Sequence, residues 1–292
     1  MRKQPDDVVL DLPMRIALDT DRVSLIQGDT LSVLRSFADK SFDIALLDPP
    51  YNKHVHDKFG KERRNDGVVV PSALTFPPMT SELIDSVMCE LVRVVKGWIL
   101  ITTDFYNTHE WGLAAQRHGG AWVRSGEWVK TNPKPQMTSD RPGCGSEDIL
   151  IAHAAPDTLE GRRLWDWNGG GHSATWRGNR DPAYPDRETG HPNQKPAWLM
   201  QALLGMFAPP NALVLDPYFG SGTTAVGALA QERLPGEVPL ETCCKACAKK
   251  LLEQYQPPLP VNASVVGIEG DQRWIDLSIS RIRDAAPALL AA

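Results

Sequence analysis

A chain of 292 residues, 42% hydrophobic and 23% charged, can bury one large α/β domain or two modest ones. No apolar run reaches the length of a membrane span, no signal-peptide stretch follows Met1, and five scattered cysteines form no disulfide framework. A cytoplasmic location with reduced thiols and no membrane partner is therefore expected. The net charge of −5 argues against a uniformly basic nucleic-acid binder, but not against a local basic groove.

Residues 1–22 read as an irregular lead-in. Val23 to Gln27 has strand composition and ends at Gly28-Asp29, after which Thr30 is placed to cap a short helix carrying Leu31, Leu34 and Phe37. Ile44 to Leu47 is wholly apolar, as the middle of a parallel sheet requires. Residues 52–80 have no period, many charges and prolines at 71, 77 and 78, which predicts a mobile functional loop. Ser81 to Lys96 carries an apolar stripe at helical spacing and Gly97 stops it. Trp98 to Thr102 reads as a strand and Tyr106 to His118 as a helix closed by Gly119-Gly120. Trp122 to Val129 and Ile149 to His153 read as strands.

Residues 130–146 and 156–192 read as irregular, the second with Trp165, Trp167 and Trp176 set among arginines and glycines. Pro196 suits the first turn of a helix reaching about Phe207. Leu213 to Leu215 is a strand, Thr223 to Gln231 a helix, Val265 to Glu269 a final strand, and Asp271 caps the last helix. The alternation predicts a doubly wound α/β sheet. An insertion at 232–263 holds Cys243, Cys244 and Cys247 but no His; structural zinc needs four ligands, so a surface helix is expected there and no metal is assigned.

Two boxes carry the chemistry. Ile44-Ala45-Leu46-Leu47 runs directly into Asp48-Pro49-Pro50-Tyr51, and Ala212-Leu213-Val214-Leu215 into Asp216-Pro217-Tyr218-Phe219-Gly220-Ser221-Gly222-Thr223-Thr224. In the second, Gly220 and Gly222 let backbone approach a ligand, and Glu269 ends the next strand, where an acid reaches ribose hydroxyls. In the first, Asp48 and the Pro49 carbonyl are two acceptors converging on one point, which suits a primary amine, and Tyr51 offers a flat face to a planar ring. A nicotinamide oxidoreductase of Rossmann type has no use for the aromatic box.

These boxes, with His191-Pro192-Asn193-Gln194-Lys195-Pro196 between them and the early Gln27-Gly28-Asp29, resemble the DNA amino-methyltransferases, over roughly residues 23 to 283. The order, aromatic box before Gly box, resembles the beta group. That resemblance implies S-adenosylmethionine as cofactor and a mostly parallel seven-stranded sheet of the class I methyltransferase kind, in circularly permuted motif order, with the two box strands adjacent. Residues 23–155 would be the catalytic part, 156–192 the target-recognition region and 193–292 the cofactor-binding part.

By motif, Asp48, Pro49, Pro50 and Tyr51 would be catalytic. Asp216, Phe219, Gly220, Ser221, Gly222 and Thr223 would form the cofactor pocket, with Glu269 on the ribose, Asp29 on the cofactor's adenine amine and Lys195 near its methionine end. Asp rather than Ser at the head of the box leans towards adenine N6 over cytosine N4. The implied partner is double-stranded DNA, with the target base flipped out; a homodimer and a cognate restriction enzyme are left open, as is a catalytically silent DNA-binding module. DNA contacts are expected from Lys53, Lys58, Lys61, Arg63 and Arg64, from Lys130, which strand order puts on the crevice side with Trp128, and from Arg162, Arg163, Arg177 and Arg180.

Overall fold

The computed structural model describes residues 14–53, 61–63, 69–71, 77–133, 135, 140, 142–155, 165, 167–179, 194–229 and 262–286. Among them one nine-stranded mixed sheet organises the molecule, built from β1 (Arg15–Asp19), β2 (Val23–Gln27), β3 (Ile44–Leu47), β6 (Trp98–Thr103), β7 (Ala121–Lys130), β8 (Ser146–His153), β9 (Thr175–Gly178), β10 (Leu213–Asp216) and β11 (Ser264–Glu269). Its strand order is β1-β2-β11-β10-β3-β6-β8-β7-β9. Strands β2, β11, β10, β3 and β6 run parallel; β1 and β8 are antiparallel to their neighbours, and β9 is parallel to β7. A separate hairpin pairs β4 (Lys61–Arg63) with β5 (Val69–Pro71), inside the loop expected at 52–80.

The seven-stranded, mostly parallel expectation is corrected at both edges. Arg15 to Asp19, read as lead-in, pairs with β2 because its partner strand exposes an edge that needs hydrogen bonds. Thr175 to Gly178, read as irregular, pairs with β7 and buries Trp176 to 2% exposure. Short edge strands carry too few alternating residues to be seen as a period.

Wholly buried β3 and β6 follow from helices on both faces. Ala45, Leu47, Ile99 and Ile101 meet α1 (Thr30–Ser36), α2 (Ser81–Val94) and α3 (Phe105–Arg117) through Val33, Leu34, Val87, Leu91, Trp111 and Ala114. On the other face Ile44, Leu46, Leu100 and Val214 meet α4 (Ala197–Phe207), α5 (Thr223–Leu229) and α6 (Gln272–Ala285) through Leu199, Leu203, Ala225, Ile275 and Ile282. Each Val, Leu or Ile among them contributes about 1.5–3 kcal/mol on full burial.

Asp29, Thr80, Asp104 and Asp271 cap α1, α2, α3 and α6 by accepting backbone N–H groups. The α1 cap is thus Asp29 rather than Thr30, and Pro196 precedes α4 as its N-cap instead of entering its first turn.

An aromatic cluster closes the far side of the sheet. His153 stacks on Trp165 with centroids 5.0 Å apart and meets Trp98 edge-on at 5.1 Å. Burial depresses the His153 imidazole to about 4, and the Ala155 N–H donates to its Nδ1 at 3.0 Å. A depressed pKa means the neutral form is the folded one. Its stabilising contribution is present above pH 6.5 and is lost as pH falls towards 4. Urea denaturation at pH 7 and pH 5 is expected to show a smaller drop for His153→Gln than for the parent chain.

Candidate active site

The strands bearing the two boxes are neighbours: β3 pairs in parallel with β10, with Ile44 opposite Val214 and Ala45 opposite Leu215. Their carboxyl ends open on the same edge of the sheet, where open α/β folds keep their ligands.

At the end of β3, Asp48 is tied on both sides. Thr102 of the next strand, β6, donates to its Oδ1 at 2.8 Å, and the Lys195 ammonium lies 2.8 Å from its carboxylate. Lys195 is 4% exposed, and the residues before α4 bring it to this point. Its Nζ also donates to the Tyr51 hydroxyl at 2.8 Å, lies 3.2 Å from Glu147 Oε2, and sits 5.0 Å from the Tyr51 ring centroid. Tyr51 in turn donates its hydroxyl to Glu147 Oε2 at 2.7 Å, and Lys130 holds Glu147 Oε1 at 2.7 Å. Two lysines, two carboxylates and one phenol form one connected, partly buried network.

The charges answer one another. Burial raises the Asp48 carboxyl above its ordinary value and Lys195 opposes it. Burial alone would lower Lys195, but Asp48 and Glu147 outweigh it and hold the ammonium up. For Glu147 burial is likewise overcome, by Lys195 and Lys130, and its pKa falls to about 2. Burial, then Glu147 and Asp48, push the Tyr51 phenol well above its usual range.

Two of the expected residues gain side-chain partners here. Lys195, expected at the cofactor's methionine end, commits its ammonium to Asp48 and Tyr51. Lys130, expected on DNA, has a side chain only 10% exposed and is paired with Glu147, so it is not offered to a phosphate. Its neighbour Trp128 is core, 2% exposed, instead of lining the crevice. Sequence reading missed Glu147 and Thr102. Glu147 lies on β8, extended three residues before the expected start, and only the pairing of β8 with β7 and β6 carries it to Tyr51.

At the end of β10 the chain turns through Gly220 (φ 51°) and Gly222 (φ 76°), both left-handed. Gly220 donates its N–H to Glu269 Oε2 at 2.9 Å, while Glu269 Oε1 accepts from Asp271 N at 2.8 Å. Burial raises the Glu269 carboxyl. Asp29 stands across β2, its Oδ1 accepting from the Ser32 N–H and hydroxyl. Asp29, Glu269 and the Gly turn therefore sit at three adjacent strand ends, presenting carboxylate acceptors for hydroxyls and an amine. That fits a nucleoside with an amino-acid tail.

Other members of the box face inward. Ser221 and Thr223 are buried and take hydrogen bonds from Arg281 Nη1 of α6, at 2.9 and 3.1 Å to their hydroxyls, so what they offer a ligand is backbone. Arg281 is a third residue that sequence reading missed. Asp216 is 3% exposed, accepts from Tyr218 N, and is raised by burial to about 7. Phe219, 3% exposed, packs on Gly267, where an added Cβ would stand 2.2 Å from its Cδ2. Gly267→Ala is expected to displace Phe219 and the turn behind it, costing about 1–3 kcal/mol of stability with a matching loss of cofactor affinity, measured by denaturation and calorimetry.

Of the expected DNA contacts, Lys53 and Arg177 are exposed. Lys61 and Arg63 are described in backbone alone, and Lys58, Arg64, Arg162, Arg163 and Arg180 lie outside the described residues, as does the Cys-bearing insertion. Of the tryptophans of 156–192, Trp176 is buried, while Trp165 and Trp167 are partly buried against the core, Trp167 meeting Phe207 at 4.7 Å. Among the described residues no group of His, Cys, Asp or Glu is arranged for a metal, and no helix is long and apolar enough to cross a membrane.

The sequence matches a family model described as DNA methylase over residues 42–280, a span that contains both boxes and Lys195. The chain belongs to the DNA methylase family. This DNA methylase is 31% identical to YubD of Escherichia coli (strain K12), named as a methylase, over 79% of its own length and 85% of that protein's. In fold it is similar to the M1.HpyAVI–SAM complex, with a TM-score of 0.58 at 18% identity covering 89% of this chain and 98% of the other. It is also similar to the PvuII DNA methyltransferase described as cytosine-N4-specific, with a TM-score of 0.59 at 14% identity covering 94% and 95%. The methylase sheet thus carries its Asp-Pro-Pro-Tyr and Gly boxes on adjacent strands.

Proposed function

We propose that this DNA methylase is a beta-group enzyme of the Asp-Pro-Pro-Tyr type that methylates the exocyclic N6 of an adenine flipped out of double-stranded DNA. The observation that carries the reading is the Asp48 carboxylate at the end of β3, one strand from the Gly turn of β10. S-adenosylmethionine is the cofactor and, when bound, supplies an electrophilic methyl group. Asp29 and Glu269 have the acceptors to hold it, beside the left-handed turn of Gly220 and Gly222.

The amine of adenine is a weak nucleophile because its lone pair is delocalised into the ring. Asp48 and the Pro49 carbonyl accept its two hydrogens, so the nitrogen can pyramidalise and turn its lone pair towards the Gly turn. Asp48 stabilises the positive charge that develops on nitrogen and need not be a strong base. Lys195 keeps the Asp48 carboxylate oriented, and Glu147 keeps Tyr51 and Lys195 in place. The Tyr51 ring offers a stacking face to the extruded base.

One observation favours a second reading, cytosine N4: the PvuII enzyme of that description shares the fold. Sequencing DNA from a host expressing this chain, with base-level detection of methylation, tests both. N6-methyladenine at a defined site is expected. N4-methylcytosine alone would replace the first reading by the second, and unmodified DNA would leave a silent binding module.

A further inference from the structure

We infer that Phe105 and Tyr106 form a stacking platform for a base of the DNA duplex beside the extruded one, at the rim of the methylation site. Aromatic and large aliphatic side chains elsewhere are mostly buried: Trp98, Trp111, Trp128, Trp176, Phe42, Phe207 and Phe219 are at most 7% exposed. Phe105 and Tyr106 are the exception among the described aromatics, 67% and 42% exposed. They lie against each other with centroids 3.9 Å apart and planes 33° apart. Adjacent exposed rings on a folded surface mark a contact surface.

Their position gives the occupant. They open α3, directly after β6, which pairs in parallel with β3, so they stand on the same sheet edge as Asp48. Asp104 joins the two places. Its Oδ2 accepts from the Asn52 N–H at 2.7 Å, one residue past Tyr51, while its Oδ1 accepts from Tyr106 N and Asn107 N at 2.9 and 3.1 Å. Asn52 Nδ2 also donates to Asn107 Oδ1 at 3.2 Å.

The pair is held rigidly as well. Thr108 donates to Asp148 of β8 at 2.8 Å, and Trp111, Ala114 and Ala115 of the same helix are fully buried. Two exposed rings are therefore held at a fixed offset from the catalytic turn.

A base drawn out of a duplex leaves its neighbour with an uncovered face. Aromatic side chains recover such stacking for any base, because every base has a π-face. A rim platform thus suits the flanking base, while the Tyr51 pocket suits the target. This inference rests on the proposed DNA methylation, but its test separates the two.

The test uses the full chain with unmethylated bacterial genomic DNA and labelled S-adenosylmethionine. The Phe105→Ala/Tyr106→Ala double variant is expected to raise the KM for DNA roughly ten- to hundredfold. S-adenosylmethionine affinity and thermal midpoint should stay unchanged, since both rings are exposed, and Phe105→Trp should keep most of the DNA affinity. In a duplex bearing the methylated site, 2-aminopurine placed next to the target should be quenched by the parent chain and remain bright with the double variant.

An unchanged KM for DNA, or an equal loss of cofactor affinity, would overturn the platform. So would a change of sedimentation from dimer to monomer, which would assign the rings to a second copy. Absence of methyl transfer by the parent chain would instead remove the underlying function.

Discussion

Asp48→Asn is expected to lower the rate of methyl transfer to DNA by about 10²- to 10³-fold while leaving S-adenosylmethionine binding within a factor of about two. Asparagine keeps the volume and one acceptor but loses the charge that stabilises a developing cation on the target nitrogen. It also turns an N–H group towards Lys195 or Thr102, both of which donate to Asp48 in the parent chain. The cofactor side is spared because its candidate residues, Asp29, Gly220 and Glu269, hang on β2, β10 and β11, and none of their recorded bonds passes through Asp48. Asp48→Ala is a harsher version, since removing one member of a buried pair costs about 3–5 kcal/mol. Single-turnover transfer of labelled methyl groups, with calorimetric titration of the cofactor, measures both quantities. A parent-like rate in Asp48→Asn would refute the role given to the carboxylate.

Glu147→Gln should produce the second large effect, with a signature in pH. The side chain meets Tyr51, Lys130 and Lys195, and a shift of the catalytic turn by as little as 1 Å can cost about 10²-fold in rate. A fall in kcat of roughly ten- to hundredfold is expected. Glu147 also raises the Asp48 carboxyl, within surroundings that include Lys195, Thr102 and Asp216. Neutralising Glu147 therefore lets the Asp48 pKa fall, and the acid limb of kcat/KM should move to lower pH. A purely structural defect would lower the rate and leave that limb in place.

Stability carries its own sign. Glu147 is depressed from 4.5 to about 2, so its stabilisation is present above pH 4.5 and is lost as pH falls through 2. The variant should lack that part of acid unfolding and be less stable at neutral pH, where Lys130 loses its carboxylate. Parent-like kcat and an unmoved acid limb would refute the assignment.

The residues divide by how local their signals are. Alternation of apolar strands and amphipathic helices is visible because burial on both faces of a parallel sheet writes itself into consecutive residues. Ile44 to Leu47 and the stripe of α2 are of this kind. Gly220 and Gly222 are legible because left-handed backbone selects glycine, and Asp271 because a helix start needs an acceptor. Glu147 and Arg281 are not legible, because a charged residue in a strand or helix looks the same from the chain whether it meets water or a buried partner.

By itself, then, the order of residues determined the α/β alternation, the two boxes at strand ends and the family that those boxes mark. Only the tertiary structure decided that Lys195 and Lys130 belong to one network with Asp48, that Trp176 is core, and that two edge strands make the sheet nine-stranded and mixed. It alone left Phe105 67% and Tyr106 42% exposed. The reason is range. Caps, turns and periodicity are set by neighbours a few residues away, whereas ion pairs such as Asp48 with Lys195 join groups 147 residues apart. Such pairs exist only because desolvation in the folded state makes an unpaired charge costly.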